Sequence, residues 1–222
     1  MGDINQLLFI KKNIDIFHGP ILEVGSKDYG NTQKLRLLFD DIEFLGIDME
    51  NGKGVDLVLD LTEDFKSINK KLGNRRFKTI VCFSVLEHCM NPFKMCKNIE
   101  ELLEEDGMVF ISAPFSWRIH GYPNDYWRFT PEGIKILFPR LKFNLDEGSL
   151  STGKPGLSER IDDFMLRIEL TTEKAIERKI YSRYKYFLIR FLRKMKILGW
   201  ISDNPYLFPP VTVNMIGRKK SV

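Results

Sequence analysis

Three carboxylates stand at regular intervals in the first third of the chain: Glu23 in "ILEVGSKDYG", Asp48 in "FLGIDM" and Asp60 in "VDLVLDL". Each follows or ends a short apolar run, so each falls where a strand gives way to a loop. Gly25 and Gly30 flank the first of these loops, and glycine there allows backbone to approach a ligand or to take conformations that a Cβ resists. Asp48 comes about 20 residues after the first loop, the position from which a carboxylate accepts hydrogen bonds from both ribose hydroxyls. Asp60 is placed to accept an amine proton from a base edge. Three acids in series fit a nucleoside-like ligand and disfavour a pyrophosphate, whose charge they would repel. Taken singly, each acid is equally well read as a helix cap or a solvated loop residue.

A second group lies in "SWRIHGYPNDYWRF" and just after the fourth apolar run. His120 offers an imidazole, which suits a general base, and Asp125 can orient it or grip hydroxyls. Tyr122, Tyr126 and Trp127 offer flat apolar faces. Arg128 offers a planar fork for a carboxylate or phosphate, or a bridge between loops. His88, in "SVLEH", either faces the ligand or caps the next helix.

These residues need a scaffold that gathers strand ends. "PILEVG", "IEFLGIDM", "VDLVLDL", "FKTIVCFSV" and "GMVFISAPF" are nearly continuous apolar runs, as in strands buried on both faces. "TQKLRLLF", "EDFKSINKKL" and "PFKMCKNIEELLEEDG" read as helices between them, the last with Phe93, Cys96, Ile99, Leu102 and Leu103 on one stripe. An opening helix ends at His18-Gly19-Pro20, and Thr130-Pro131 starts another, with Thr130 as N-cap. The alternation predicts an α/β fold with a doubly wound, mostly parallel sheet. Such sheets bind ligands beyond the carboxyl ends of their strands. "LKFNLDEGSLS" and "VTVNMIGRK" read as the last strands, closing the sheet as an antiparallel pair.

The features resemble the class I S-adenosylmethionine-dependent methyltransferases, in the type 11-like branch whose fourth strand runs into a "SVLEH" stretch. "HGYPNDYWRFTPEGI" resembles a block found in bacterial methyltransferases of surface-polysaccharide and other glycan pathways. The likeness covers about residues 15 to 140. It implies a seven-stranded sheet, S-adenosyl-L-methionine as cofactor, and no metal. It places Glu23 and the Gly25 loop on the methionine end, Asp48 on the ribose, Asp60 and Leu61 on the adenine, and Ser84 and Val85 beneath the sulfur. One departure is Lys27, where the family's pattern has a further glycine. The implied reaction is methylation of an oxygen on a small molecule or glycan. A cofactor-binding module without turnover, an RNA methyltransferase and a nicotinamide-dependent oxidoreductase are the alternatives, and the last lacks its G-x-G-x-x-G.

The bulk properties agree. The 222 residues are 43% apolar and 29% charged, ordinary for one folded domain, and a net charge of +4 is too small to imply nucleic acid. The three cysteines have neither metal-site spacing nor an even count, and read as packed, reduced thiols. No apolar run reaches the roughly 18 residues of a membrane span, and the N-terminus has no signal-peptide pattern, so the expected compartment is the cytoplasm. Residues 151 to 204 form an insertion before the last strand. Its basic amphipathic stretch, near 173–199, fits either packing on the core or lying on an anionic membrane surface.

Overall fold

The run Ile21–Val24 (β1) is buried along its whole length, as a strand covered on both faces must be. A computed structural model describes residues 4–30, 35–121, 124–151, 155–161, 191 and 210–219. In it β1 lies parallel to Phe44–Asp48 (β2), which pairs in parallel with Leu57–Val58 (β3). The other edge of β1 takes Phe77–Phe83 (β4), and β4 takes Leu103–Pro114 (β5), again in parallel.

The remaining strands are Leu141–Phe143 (β6), Ser149–Ser151 (β7), Ser158–Glu159 (β8) and Thr212–Lys219 (β9). β9 runs antiparallel to β5 on one side, and to β6 and β7 on the other. The order across the sheet is β3-β2-β1-β4-β5-β9-β7-β8, with β6 beside β9. This is the doubly wound, mostly parallel arrangement that the alternation predicts. Among the described residues it has nine strands where seven were expected. A 3-10 turn at Leu145–Glu147, capped by the Asn144 side chain, divides the sixth expected strand into β6 and β7, and β8 adds a short edge.

Other boundaries differ from the sequence reading: the opening helix stops at Lys12 instead of reaching His18, and a 3-10 turn follows at Ile14–Ile16. β5 begins at Leu103 instead of Gly107, because a bulge shifts the register between Phe77 and Thr79 and Asp106 takes φ +59°. β3 is regular only over Leu57–Val58, although the longer run 55–61 is apolar.

The helices are Ile4–Lys12 (α1), Phe65–Lys71 (α2), Pro92–Leu102 (α3) and Pro131–Leu137 (α4). Asp64, Asn91 and Thr130 accept backbone N–H groups at the starts of α2, α3 and α4, which satisfies donors that a helix start leaves without partners. On α3 the buried stripe runs through Met95, Cys96, Ile99 and Leu102, while Phe93 points outward. Of the helix expected over 32–39, the described part is a 3-10 turn at Leu35–Leu38.

Helices α2, α3 and α4 cover one face of the sheet around Leu22, Ile80, Ile99 and Ile111. The other face is closed by α1 and by an aromatic cluster in which Phe17 stacks on Phe110 at 4.1 Å and on Phe39 at 4.8 Å between ring centroids. Cys82, Cys89 and Cys96 are buried free thiols. Among the described residues no helix is long and apolar enough to cross a membrane. Apart from Phe191, the amphipathic stretch near 173–199 lies outside the described residues.

Candidate active site

Strand order reverses between β1 and β4, and it is at such a switch point that a crevice opens beyond the carboxyl ends of a parallel sheet. Gly25 follows β1 there with φ +75°, its N–H bonded to Ile47 O at 2.9 Å. A Cβ at this position would overlap Val85 Cγ2 from the turn after β4. The two loops therefore meet at the one residue without a side chain. Ser84, just before Val85, takes φ +53°, a conformation rare for residues other than glycine. Its N–H donates to Ser112 O at 2.8 Å, and its hydroxyl accepts from Gln6 Nε2 at 2.7 Å. Gln6 also donates to Ser112 Oγ at 3.0 Å, so α1 fastens the ends of β4 and β5 together.

Glu23 is buried near the end of β1, and burial pushes its carboxyl up to about 7. Asp48, ending β2, accepts from the backbone of Lys27 at 3.2 Å and of Glu50 at 3.1 Å. The first contact, with the Lys27 Nζ to Glu50 pair at 2.5 Å, ties the loop after β1 to the end of β2. Lys27 thus takes the place of the family's additional glycine without opening the loop. Gly30 has φ +89° and donates to Asp28 Oδ1 at 2.8 Å. Asp60 accepts from Thr62 N at 2.7 Å and Thr62 Oγ1 at 2.8 Å, and Leu61 is buried. Asn98 on α3 holds this loop by donating to Leu61 O at 2.8 Å and Glu63 O at 3.0 Å. All three acids keep acceptor capacity beyond these bonds, since a carboxylate has about four lone-pair sites.

The loop after β5 folds back over the end of β4. Tyr126 N donates to Glu87 O at 2.8 Å, Trp127 Nε1 to Cys89 O at 2.9 Å, and Phe129 N to Pro114 O at 2.9 Å. Inside the loop Asp125, with its side chain 2% exposed, receives both arms of Arg128, at 2.5 and 2.8 Å, and the backbone N–H of His120 at 2.9 Å. The guanidinium holds the Asp125 carboxyl well below the usual carboxylate range. Arg128 donates further to the carbonyls of Trp117, Arg118 and Trp127. Its fork is engaged within the loop, which is the bridging role weighed beside ligand binding. His120 Nδ1 lies 3.1 Å from Asp125 Oδ2. Tyr122 lies outside the described residues, and Tyr126 and Trp127 are exposed.

His88 is half-buried beside this loop, its Nδ1 2.6 Å from Asn124 O, and burial lowers its proton affinity. Glu87 is fully buried, and burial pushes its carboxyl up to about 8. One ligand atom from each of Glu87, His88 and His120 lies within 4.8 Å of the others. The sequence offered no sign of this group, because its members come from two different strand ends. Gln6 and Asn98 were missed as well; a polar residue on the apolar stripe of a helix is the signal that would have found both.

No protein-family profile matches the chain. A stretch of 51 residues, 23% of this chain and 22% of the relative, is 40% identical to a ubiquinone biosynthesis O-methyltransferase of Glaesserella parasuis serovar 5. Among solved structures, a SAM-dependent methyltransferase from Archaeoglobus fulgidus aligns over 98% of this chain and 95% of its own, with TM-score 0.57 and 18% identity. The fold is that of the class I methyltransferases. Coclaurine N-methyltransferase, solved with N-methylheliamine and SAH, aligns over 97% of this chain and 72% of its own, with TM-score 0.55 and 13% identity. The N-methyltransferase NodS from Bradyrhizobium japonicum WM9 aligns over 98% and 95%, with TM-score 0.52 and 11% identity.

Proposed function

We propose that this class I methyltransferase fold is an active S-adenosylmethionine-dependent methyltransferase that acts on oxygen of a small molecule or glycan. The reading rests on one observation: Glu23, Asp48 and Asp60 line the carboxyl ends of successive parallel strands beside the Gly25–Val85 contact. These groups fit the cofactor's chemistry. Glu23, buried and near-neutral, gains a cationic partner in the cofactor's ammonium group. Asp48 receives the ribose hydroxyls. Asp60 and Leu61 offer an acceptor and an apolar face to the adenine, on a loop that Asn98 keeps in place.

When bound, the cofactor supplies a methyl group already activated on a sulfonium. The chain's own work is alignment and proton removal, and positioning alone can supply several kcal/mol. The loop after β5 forms the acceptor side. There Asp125 orients His120 through Nδ1 and leaves Nε2 to accept a hydroxyl proton, a contribution of typically about 100-fold or more. Arg128 positions Asp125 and so acts through it.

The short stretch of identity to a ubiquinone O-methyltransferase supports an oxygen acceptor. Calorimetric titration of the folded chain with S-adenosylhomocysteine and, separately, with NAD tests the cofactor. One equivalent of the thioether with no uptake of NAD is expected, and no uptake of the thioether overturns the reading.

A further inference from the structure

The turn after β4 and the loop after β5 place two imidazoles and a carboxylate at one point. Their protonation is dictated by their neighbours. His88 Nδ1 faces the carbonyl of Asn124 at 2.6 Å, and a carbonyl only accepts, so the proton sits on Nδ1 and the Nε2 lone pair is free. His120 Nδ1 faces two acceptors, Asp125 Oδ2 at 3.1 Å and Arg118 O at 3.3 Å, and the same tautomer follows. The rings meet edge to face. His88 Nε2 lies 3.9 Å from Glu87 Oε1. The Glu87 side chain is 2% exposed, and its Oε2 has no hydrogen-bond partner among the described residues.

With the Glu87 carboxyl ionised, two free imidazole nitrogens and a buried carboxylate oxygen without a donor make an arrangement with acceptors only, and a proton on Glu87 is what a bound cation would displace. Leaving such a group buried and unmatched is costly, by about 1–3 kcal/mol for a polar oxygen and more for a charged one. A cation is the partner that satisfies all three. Imidazole and carboxylate together suit zinc-like transition metals better than magnesium or calcium, which favour oxygen shells. Two histidines with one carboxylate is a donor set for an ion that keeps coordination positions open. Asp125 behind His120 is the outer partner that fixes ring orientation and raises ligand basicity in such sites.

We propose that Glu87, His88 and His120 bind one divalent transition-metal ion, through His88 Nε2, His120 Nε2 and a Glu87 carboxylate oxygen. One ligand atom of each of the three residues lies within 4.8 Å of the others. Metal–ligand bonds of about 2.0–2.2 Å in a tetrahedron set neighbouring donors about 3.3–3.6 Å apart. Rotation of these side chains would draw the donors together as the ion binds.

The ion's role rests on the methyl-transfer reading: it lies on the acceptor side, where an open coordination position takes an acceptor oxygen. In that form His120 holds the ion instead of receiving the proton itself, and the acceptor hydroxyl, made more acidic by the ion, would release its proton to solvent. Binding of the ion is independent of this role.

The test uses the full chain, stripped with a chelator and titrated with Zn²⁺ by calorimetry and with Co²⁺ by visible absorption. One equivalent and the d–d bands of a bound Co²⁺ with nitrogen and oxygen ligands are expected. His88→Ala and His120→Ala are expected to weaken binding at least about 100-fold, and Asp125→Asn about 10-fold. Thiolate-to-metal charge-transfer bands, or undiminished uptake in the His88→Ala/His120→Ala double variant, would place the ion elsewhere and overturn the proposal. So would the lack of stoichiometric uptake by the unaltered chain, a result that does not depend on how any variant folds. S-adenosylhomocysteine binding, measured on the same samples, reads the cofactor cradle. Thioether uptake without metal uptake sinks this inference alone, and metal uptake without thioether uptake sinks the methyl-transfer reading alone.

Discussion

His88 and His120 meet edge to face, with ring centroids 4.9 Å apart, although one follows β4 and the other follows β5. The contacts around them explain why the pair holds: His88 is fastened through Nδ1 to Asn124 O, and His120 through Nδ1 to Arg118 O, with Asp125 Oδ2 alongside. Both are left with Nε2 for other partners. Any substitution that loosens the Asp125–Arg128 clamp is therefore felt at His120 before it is felt at the cofactor strands.

Replacing His120 separates the acceptor side from the cofactor side. His120→Ala is expected to lower kcat by about 100-fold or more. Affinity for S-adenosylhomocysteine should change little, because the contacts of His120 among the described residues are to Arg118, Asp125 and His88, not to Glu23, Asp48 or Asp60. Steady-state kinetics and calorimetry on one preparation check this, and unchanged turnover removes His120 from the mechanism.

Glu23 carries a pH signature. Its folded-state value, raised from 4.5 to about 7, lies above that of the unfolded chain. The unfolded state therefore ionises first as pH rises. Glu23 contributes its stability below about pH 4.5, and that contribution is lost as pH rises through about 7. Thermal unfolding of the cofactor-free chain should show Tm falling across this window, with a shallower slope in Glu23→Gln. Cofactor binding, by bringing an ammonium beside the carboxyl, should release a proton near pH 6.5. Titrations in buffers of differing ionisation enthalpy measure that proton directly.

Gly25→Ala meets two separate obstacles. Its φ of +75° is unfavourable for any residue with a Cβ, and the new methyl overlaps Val85 Cγ2. The conformational part alone costs of order 1–2 kcal/mol. A double-mutant cycle with Val85→Ala should recover the overlap but not the backbone cost. Full recovery in the double variant would show that φ matters less here than contact does.

Asn98→Ala removes both donors that hold the loop after β3. A loss of about 1–3 kcal/mol in denaturant unfolding is expected, since two carbonyls lose their partners. Thioether affinity should fall as well, because Asp60 and Leu61 are on that loop. A stability loss with no change in affinity would separate the loop from the cofactor.

Much of this architecture could be read from residue patterns, for a definite reason. Runs such as "ILEV" and "FKTIVCF" are apolar on both faces, and only a sheet covered on both sides accommodates them. The placement of Glu23, Gly25, Asp48 and Asp60 at the carboxyl ends followed from that sheet. What stayed hidden depends on contacts between distant segments. Glu87, His88 and His120 converge only because the loop after β5 is pinned back through Tyr126 N to Glu87 O. Gln6 reaches Ser84 and Ser112 only once α1 lies across β4 and β5. The division of β6 from β7 depended on a local side-chain cap at Asn144, which competes with strand continuity on a scale that hydrophobic patterning does not register.

The interior position of β9 constrains how the molecule is made. Before residues 212–219 leave the ribosome, β5 has an open edge, β6 has nothing to pair with, and β7 has only the two-residue β8. A nascent chain halted before that point presents bare backbone donors and acceptors on a hydrophobic strand, the type of edge that recruits other chains. Completion of the sheet consequently waits for β9, and chaperone demand should be greatest in the interval between synthesis of β5 and insertion of its last neighbour.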